Sequence, residues 1–226
     1  MTFQSYKPHT ALSRILMLAM LSWGGLTVAQ AREVVPAPVP GWEEVVFAGR
    51  TSYAMDDSEG CVRATSAGSA SGLVYRQTVD VSKQPVLRWQ WYADAALVPA
   101  QPASERRREG DDFVTRVYVI HEGRFFWQTR AINYVWSRQY PVGSVWPNPF
   151  TRNAMMVVVQ SGDQAPEGEG PGFGVWHRFE RDVAADFRRY HDQQVSRISA
   201  VAIMTDTDNT GGAAEACYRL PEFGPP

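Results

Sequence analysis

The sequence is poor in lysine, cysteine and long apolar runs, and each shortage closes off a class of function. Its 226 residues carry 22 basic and 24 acidic side chains, a formal net charge of −2. So even a balance lacks the clustered positive charge that releases counterions from nucleic acid, and no nucleic-acid partner is expected. After Lys7 the sole lysine is Lys83, in the turn-like Ser82-Lys83-Gln84-Pro85, which leaves Schiff-base chemistry a single surface candidate. His121, His177 and His191 are scattered, and neither they nor the two cysteines have zinc-site spacing. A Gly-x-Ser-x-Gly elbow and a His-Glu-x-x-His helix are both missing. Past residue 31 no apolar stretch approaches the ~20 residues that span a bilayer, so no integral membrane segment is expected there.

What is present begins with an export signal. Lys7 and Arg14 precede an apolar stretch that starts at Ile15, is interrupted by Gly24-Gly25, and closes on Ala29-Gln30-Ala31. A positive region, an apolar region and a small-x-small cleavage site in that order define a secretory signal peptide, here residues 1–31. The remainder is therefore expected in the periplasm or outside the cell. Residues 32–41 place Pro36, Pro38 and Pro40 on alternate positions, a leader expected to stay extended and make few packed contacts. Residues 42–226 are expected to form one domain. In an oxidising compartment an even pair of cysteines is expected to bridge, so Cys61 and Cys217 are a disulfide candidate. Their separation is not readable from sequence, which leaves two buried thiols as the alternative.

The domain reads as all-β. Val86–Tyr92 is the clearest strand, with Leu87, Trp89 and Trp91 on one face and Arg88, Gln90 and Tyr92 on the other. Phe113–His121 alternates in the same way, and on that parity Arg116 shares a face with Asp112. Further strand candidates are Trp42–Phe47, Thr51–Met55, Cys61–Thr65, Leu73–Val79, Phe125–Thr129, Ala131–Trp136, Met155–Gln160, Trp176–Asp182, Ile198–Thr205 and Ala216–Leu220. One stretch departs from the period: Val183, Phe187 and Tyr190 have helical spacing behind Asp182, a natural N-cap. Many short strands, glycine- and proline-rich turns and one short helix make a β-sandwich or jelly roll.

Three loops carry unusual composition. Ala93–Asp112 contains the mixed charge run Glu105-Arg106-Arg107-Arg108-Glu109, which reads as solvated surface. Ser161–Gly174 holds five glycines but no lysine and no following helix, so it is a rim rather than a phosphate cradle. In Thr205–Gly212, Asp206, Asp208 and Thr210 match the opening positions of a calcium loop, since alternate oxygen side chains on a tight turn converge on a hard cation. Position twelve would be Cys217, so a complete EF-hand is excluded. A possible calcium site and a polar turn satisfying its own amides both remain open.

Several motifs together resemble a known family: Leu87-Arg88-Trp89-Gln90-Trp91, Gly110-Asp111-Asp112-Phe113, Arg116-Val117-Tyr118-Val119, Asn133-Tyr134-Val135-Trp136, Asn148-Pro149-Phe150-Thr151 and Ala202 through Gly211. In this order they are similar to the exported bacterial proteins of domain of unknown function 3047. The resemblance implies a galactose-binding-like jelly roll, in agreement with the strand pattern, and brings no activity with it.

Candidate site residues therefore come from side-chain chemistry. Asp111 and Asp112 precede a strand at a loop mouth, and a carboxylate placed with Arg116 either clamps a polar ligand or forms an ion pair. Asn133, Tyr134 and Trp136 offer an amide and aromatic faces of the kind that bind a sugar ring, or else contribute to the core. The leading expectation is non-catalytic binding of a glycan or other polar small molecule. An envelope protein-interaction module is the alternative. A carbohydrate-active hydrolase using Asp112 with Asp206 or Asp208 is the third reading.

Overall fold

The computed structural model describes residues 33–162 and 172–226. The signal-peptide expectation for residues 1–31 and most of the glycine-rich rim lie outside the described residues. In chain order the strands are Val34–Pro36 (β1), Glu43–Ala48 (β2), Ser52–Asp56 (β3), Cys61–Ala67 (β4), Ala70–Asp80 (β5), Val86–Tyr92 (β6) and Arg116–His121 (β7). They continue with Arg130–Ser137 (β8), Val145–Asn148 (β9), Thr151–Ser161 (β10), His177–Asp182 (β11), Arg197–Asp206 (β12) and Ala213–Gly224 (β13). Among the described residues a single α-helix, Val183–His191 (α1), joins β11 to β12.

Two sheets face each other in the jelly-roll sandwich that the strand pattern predicts. One has eight strands in the order β1-β2-β5-β12-β7-β8-β10-β9, the other five in the order β11-β6-β13-β4-β3. Neighbours run antiparallel except β8 and β10, which are parallel. Leu87, Trp89 and Trp91 point inward from β6 and meet Val117, Val119, Ile132, Tyr134, Val201 and Ile203 from the larger sheet. The Trp89 ring stacks on Tyr134 at 5.1 Å and on Phe179 at 5.2 Å. Burying each such side chain contributes about 1.5–3 kcal/mol, so these aromatics dominate the inter-sheet contact.

Helix α1 starts where expected. Ala185 N–H donates to Asp182 Oδ1 at 2.8 Å, satisfying one of the free donors of the first turn, while Val183 and Phe187 are buried.

Other expectations need correction. The proline-rich leader is packed: Val34–Pro36 pairs antiparallel with Glu43–Val45, and Val39 and Trp42 are buried. Pro36 ends this edge strand, where a missing N–H is tolerated, and Pro38 and Pro40 lie in the turn that follows. Phe125–Thr129 is a turn of 3₁₀ helix at Phe126–Gln128 instead of a strand. Gln128 N–H donates to the Phe125 carbonyl at 2.9 Å, and a Cβ at Gly123 would collide with Gln128, so glycine makes this turn possible. Finally, Phe113–Thr115 lies outside β7, for a reason that belongs to the site below.

Cys61 and Cys217 are bridged, with Cα atoms 5.8 Å apart on the neighbouring strands β4 and β13. The link spans a sequence separation of 156 residues. On the chain-entropy view a loop of that size restricts the unfolded chain by roughly 5 kcal/mol, with measured effects of removing native bridges nearer ~2–5 kcal/mol. Reduction, or the double change Cys61→Ser with Cys217→Ser, should lower the unfolding free energy by about 2–5 kcal/mol, read as a lower denaturant midpoint, without altering the β-sheet circular dichroism. An unchanged midpoint would show that the bridge leaves the unfolded ensemble unaffected.

Candidate functional site

The larger sheet has a second apolar face, turned away from its partner. Its outward positions are small over the middle strands: Ala70 and Gly72 on β5, Ala200 and Ala202 on β12, Ala131 on β8, and Ala154 on β10. Longer side chains at the margins, among them Phe47, Met204, Phe150 and Asn153, rise around them, and the result is a groove of about 170 Å³. Gly72 matters here because a Cβ would stand 3.3 Å from the Ile203 carbonyl and shrink the floor. The volume lies below the ~300–1,000 Å³ of sites that engulf a drug-sized molecule, so the groove suits one unit of a chain lying across it.

A buried ion cluster closes one end. Arg116 leads β7, and its outward parity brings it beside Asp206, the last residue of β12. Its Nε donates to Asp206 Oδ1 at 2.8 Å and its Nη2 to Asp206 Oδ2, a bidentate pair. Nη1 donates to Asp111 Oδ2 at 3.5 Å and to the Tyr118 hydroxyl at 3.3 Å, and Nη2 donates to the Asp111 carbonyl. Asn148 Nδ2 supports the same Asp111 oxygen at 2.9 Å. Phe113 packs its ring 4.5 Å from the guanidinium and donates its N–H to Asp206 Oδ1. That last bond explains the shortened strand, since a backbone amide committed to a side chain is lost to the ladder.

The parity argument that placed Asp112 on the face of Arg116 fails with the strand that carried it: the hydrogen bonds of Arg116 go to Asp111 and Asp206. Asp112 instead closes the Thr205–Gly212 loop. Thr210 donates its N–H and its hydroxyl to Asp112 Oδ2, each at 2.6 Å, and Asn209 donates twice to Oδ1, at 3.2 and 3.1 Å. Asp112, Asp206 and Asp208 each offer an oxygen within 4.8 Å of the others. The calcium expectation is thus altered, with Asp112 in place of Thr210, whose hydroxyl is directed at Asp112. Arg116 already neutralises Asp206, and Asp112 accepts four hydrogen bonds, so a cation here would displace donors that are in place. The same bonds restrain the two carboxylate pairs considered for hydrolysis.

Tyr134 and Trp136 leave the site altogether. They occupy inward positions of β8, at 0% and 1% exposure. The Tyr134 hydroxyl donates to Asp186 at 2.7 Å and the Trp136 indole to the Gly162 carbonyl at 2.8 Å. Asn133 alternates to the groove and donates to the Met156 sulfur at 3.2 Å, while its Oδ1 has no hydrogen-bond partner among the described residues. Asp111 Oδ1 is in the same position. A buried acceptor without a donor costs about 1–3 kcal/mol, so two of them beside one groove mark where an incoming donor gains most.

Sequence reasoning missed Tyr118, Met204, Phe150, Asn153 and Arg130 on the groove wall, and the supporting role of Asn148. The available signal was the row of small or polar residues opposite the core positions of β8 and β12.

Residues 40–220 match the family described as protein of unknown function (DUF3047), and the chain belongs to that family. A search of curated proteins finds no match. Among solved structures, the chain is similar to a family 11 carbohydrate-binding module from Clostridium thermocellum in complex with a β-1,3-1,4-mixed-linked tetrasaccharide. The identity is 10%, the coverage 86% of this chain and 95% of that one, and the TM-score 0.40. It is similar also to endoglucanase cel12A from Rhodothermus marinus, at 11% identity, 85% and 95% coverage and a TM-score of 0.44. A third is the xyloglucanase domain of NopAA, a type three effector from Sinorhizobium fredii, at 6% identity, 88% and 100% coverage and a TM-score of 0.45. No residue role is carried from these proteins to this chain.

Burial dominates the ionisation of the cluster. It pushes the Asp111 carboxyl up to about 6 from an ordinary 3.8, with Arg116 opposing, and it raises Asp206 and Asp208 as well. The folded protein therefore holds the Asp111 proton to higher pH than the unfolded chain does. Stability linked to that proton is complete below the unfolded value and is lost as pH rises through about 6. Asp111→Asn, which keeps a neutral side chain at every pH, should gain stability relative to the unsubstituted protein between pH ~4 and pH ~7. Urea midpoints of the two proteins across that range test this, and a constant difference would contradict it.

Proposed function

We propose that this chain is a binding protein for a glycan, with the outward groove of the larger sheet as its ligand site. The observation that carries the reading is the pair of acceptors, Asp111 Oδ1 and Asn133 Oδ1, that have no hydrogen-bond partner among the described residues, beside a floor of alanine and glycine. Sugar rings present hydroxyl donors around an apolar C–H face. The groove offers the complement: acceptors held in place by Arg116, Asn148 and Met156, next to the half-buried rings of Tyr118 and Phe150. Pre-positioned groups bind at lower entropic cost than mobile ones.

Titration calorimetry against a library of neutral and charged oligosaccharides is the direct experiment. Asn133→Leu should weaken the binding found there by about tenfold or more, the equivalent of one good hydrogen bond, with little change in melting temperature. A library in which nothing binds would end the proposal.

We also infer that the protein acts after export, on the strength of residues 1–31. Amino-terminal sequencing of the protein recovered from a periplasmic fraction should begin at Arg32. Recovery from the cytoplasm with the first residues intact would count against export.

A further inference from the structure

We propose that the Arg116 end of the groove is a subsite for a protonated amine, which makes the ligand a glycan carrying an amino sugar with an unacetylated nitrogen. This inference rests on the reading of the groove as a glycan site and adds the chemical class of the unit seated beside Asp111.

The first observation is that the donors at this end are spent. Arginine has five N–H donors, and all of those on Arg116 are committed. Nε and Nη2 reach Asp206, Nη2 also reaches the Asp111 carbonyl, and Nη1 reaches Asp111 Oδ2 and the Tyr118 hydroxyl. Both amide hydrogens of Asn148 are used as well, on Asp111 Oδ2 at 2.9 Å and the Met156 sulfur at 3.5 Å. Those of Asn209 go to Asp112 Oδ1 and Asp208 Oδ1, each at 3.1 Å. The Tyr118 hydroxyl donates to the Met204 sulfur at 3.4 Å.

Acceptors, by contrast, are left over. Asp111 Oδ1 and Asn133 Oδ1 have no hydrogen-bond partner among the described residues, although the two residues are only 3% and 1% exposed. Asn133 lies between Tyr118 on β7 and Met156 on β10, two residue steps, about 7 Å, along the strand from the row of Arg116. Asn133 Nδ2 donates to the Met156 sulfur at 3.2 Å, and Asn148 connects that sulfur to Asp111. One chain of bonds therefore fixes both side chains that hold the leftover acceptors.

The third observation is charge. Asp111, Asp112, Asp206 and Asp208 bring four carboxylates together, and among the described residues Arg116 is the one cation paired with any of them. Burial raises the Asp208 carboxyl most, and repulsion from Asp112 raises it further. Arg130, which also borders the groove, alternates to the other face of β8. It starts that strand five residue steps, about 17 Å, from Val135, the partner of Arg116.

A protonated amine answers all three features. It brings N–H donors and no acceptor, so it asks nothing of the spent donors, and its charge offsets the excess of carboxylate. A metal ion would instead have to displace the N–H groups already on Asp112 and Asp206. An acetylated nitrogen keeps a single N–H, loses the charge and adds a carbonyl oxygen that would face other acceptors.

The test compares a glucosamine oligosaccharide with its N-acetylated counterpart of the same length, by calorimetric titration of the full chain near neutral pH. The amine form should bind about tenfold or more tightly, the scale of one hydrogen bond to a charged group, and the advantage should fall as salt is added. Asp208→Asn, at a half-buried position, should shrink the advantage, and Asp111→Asn should shrink it further, with melting temperatures checking that both variants fold. An advantage unchanged in both folded variants overturns the assignment of the amine to this end. Equal binding of the two forms, or tighter binding of the acetylated form, overturns the amine subsite while leaving the glycan reading in place. Failure of both forms and of every other saccharide to bind overturns the two together. Spermidine binding as tightly as the amino oligosaccharide would show that the sugar is not recognised, and would also overturn both.

Discussion

The structure turns on one buried guanidinium. Arg116 cannot lose its proton, so a protein that encloses it must supply carboxylates, and here Asp206 and Asp111 supply them from β12 and from the segment before β7. Removing ions from water costs several kcal/mol each, and the mutual attraction of a buried pair roughly repays that cost. What the cluster contributes is arrangement. It binds the end of one central strand to the start of its neighbour and commits the Phe113 amide to the Asp206 side chain, while the Phe113 carbonyl accepts from the Asp206 N–H.

Both faces of the larger sheet are apolar, for different reasons. The inner face carries valine, isoleucine and aromatic side chains that fill the space between the sheets. The outer face is lined over the middle strands by alanine and glycine, which cannot fill space, while bulkier groups stand at the margins. A surface of this kind holds its shape because backbone hydrogen bonds set the floor, and its shape does not depend on side-chain rotamers. The core and the proposed binding groove thus lie on opposite faces of the same strands, and the disulfide lies in the other sheet.

At the Arg116 end of the groove, burial sets the electrostatics. The acidic cluster is enclosed, so its charges are weakly screened and burial raises the pKa values of Asp111 and Asp206.

Alternation along the chain was enough to locate the strands that build the core. Leu87, Trp89 and Trp91 announce a buried face because a period of two is a local property of the backbone, and Asp182 announces a helix start because a cap bonds within one turn. The family motifs likewise lie in the sequence, and Asn133 and Asp111 could be singled out there as polar residues in unusual company. Tertiary structure alone decided which face of β8 met the core, sending Tyr134 and Trp136 inward, and which carboxylate met Arg116. Parity holds only while a strand lasts, and the partner that ended this one, Asp206, lies 93 positions away from the amide it captures. The groove, too, is invisible from any one strand, because its floor consists of small residues from four strands that only the sheet order brings side by side.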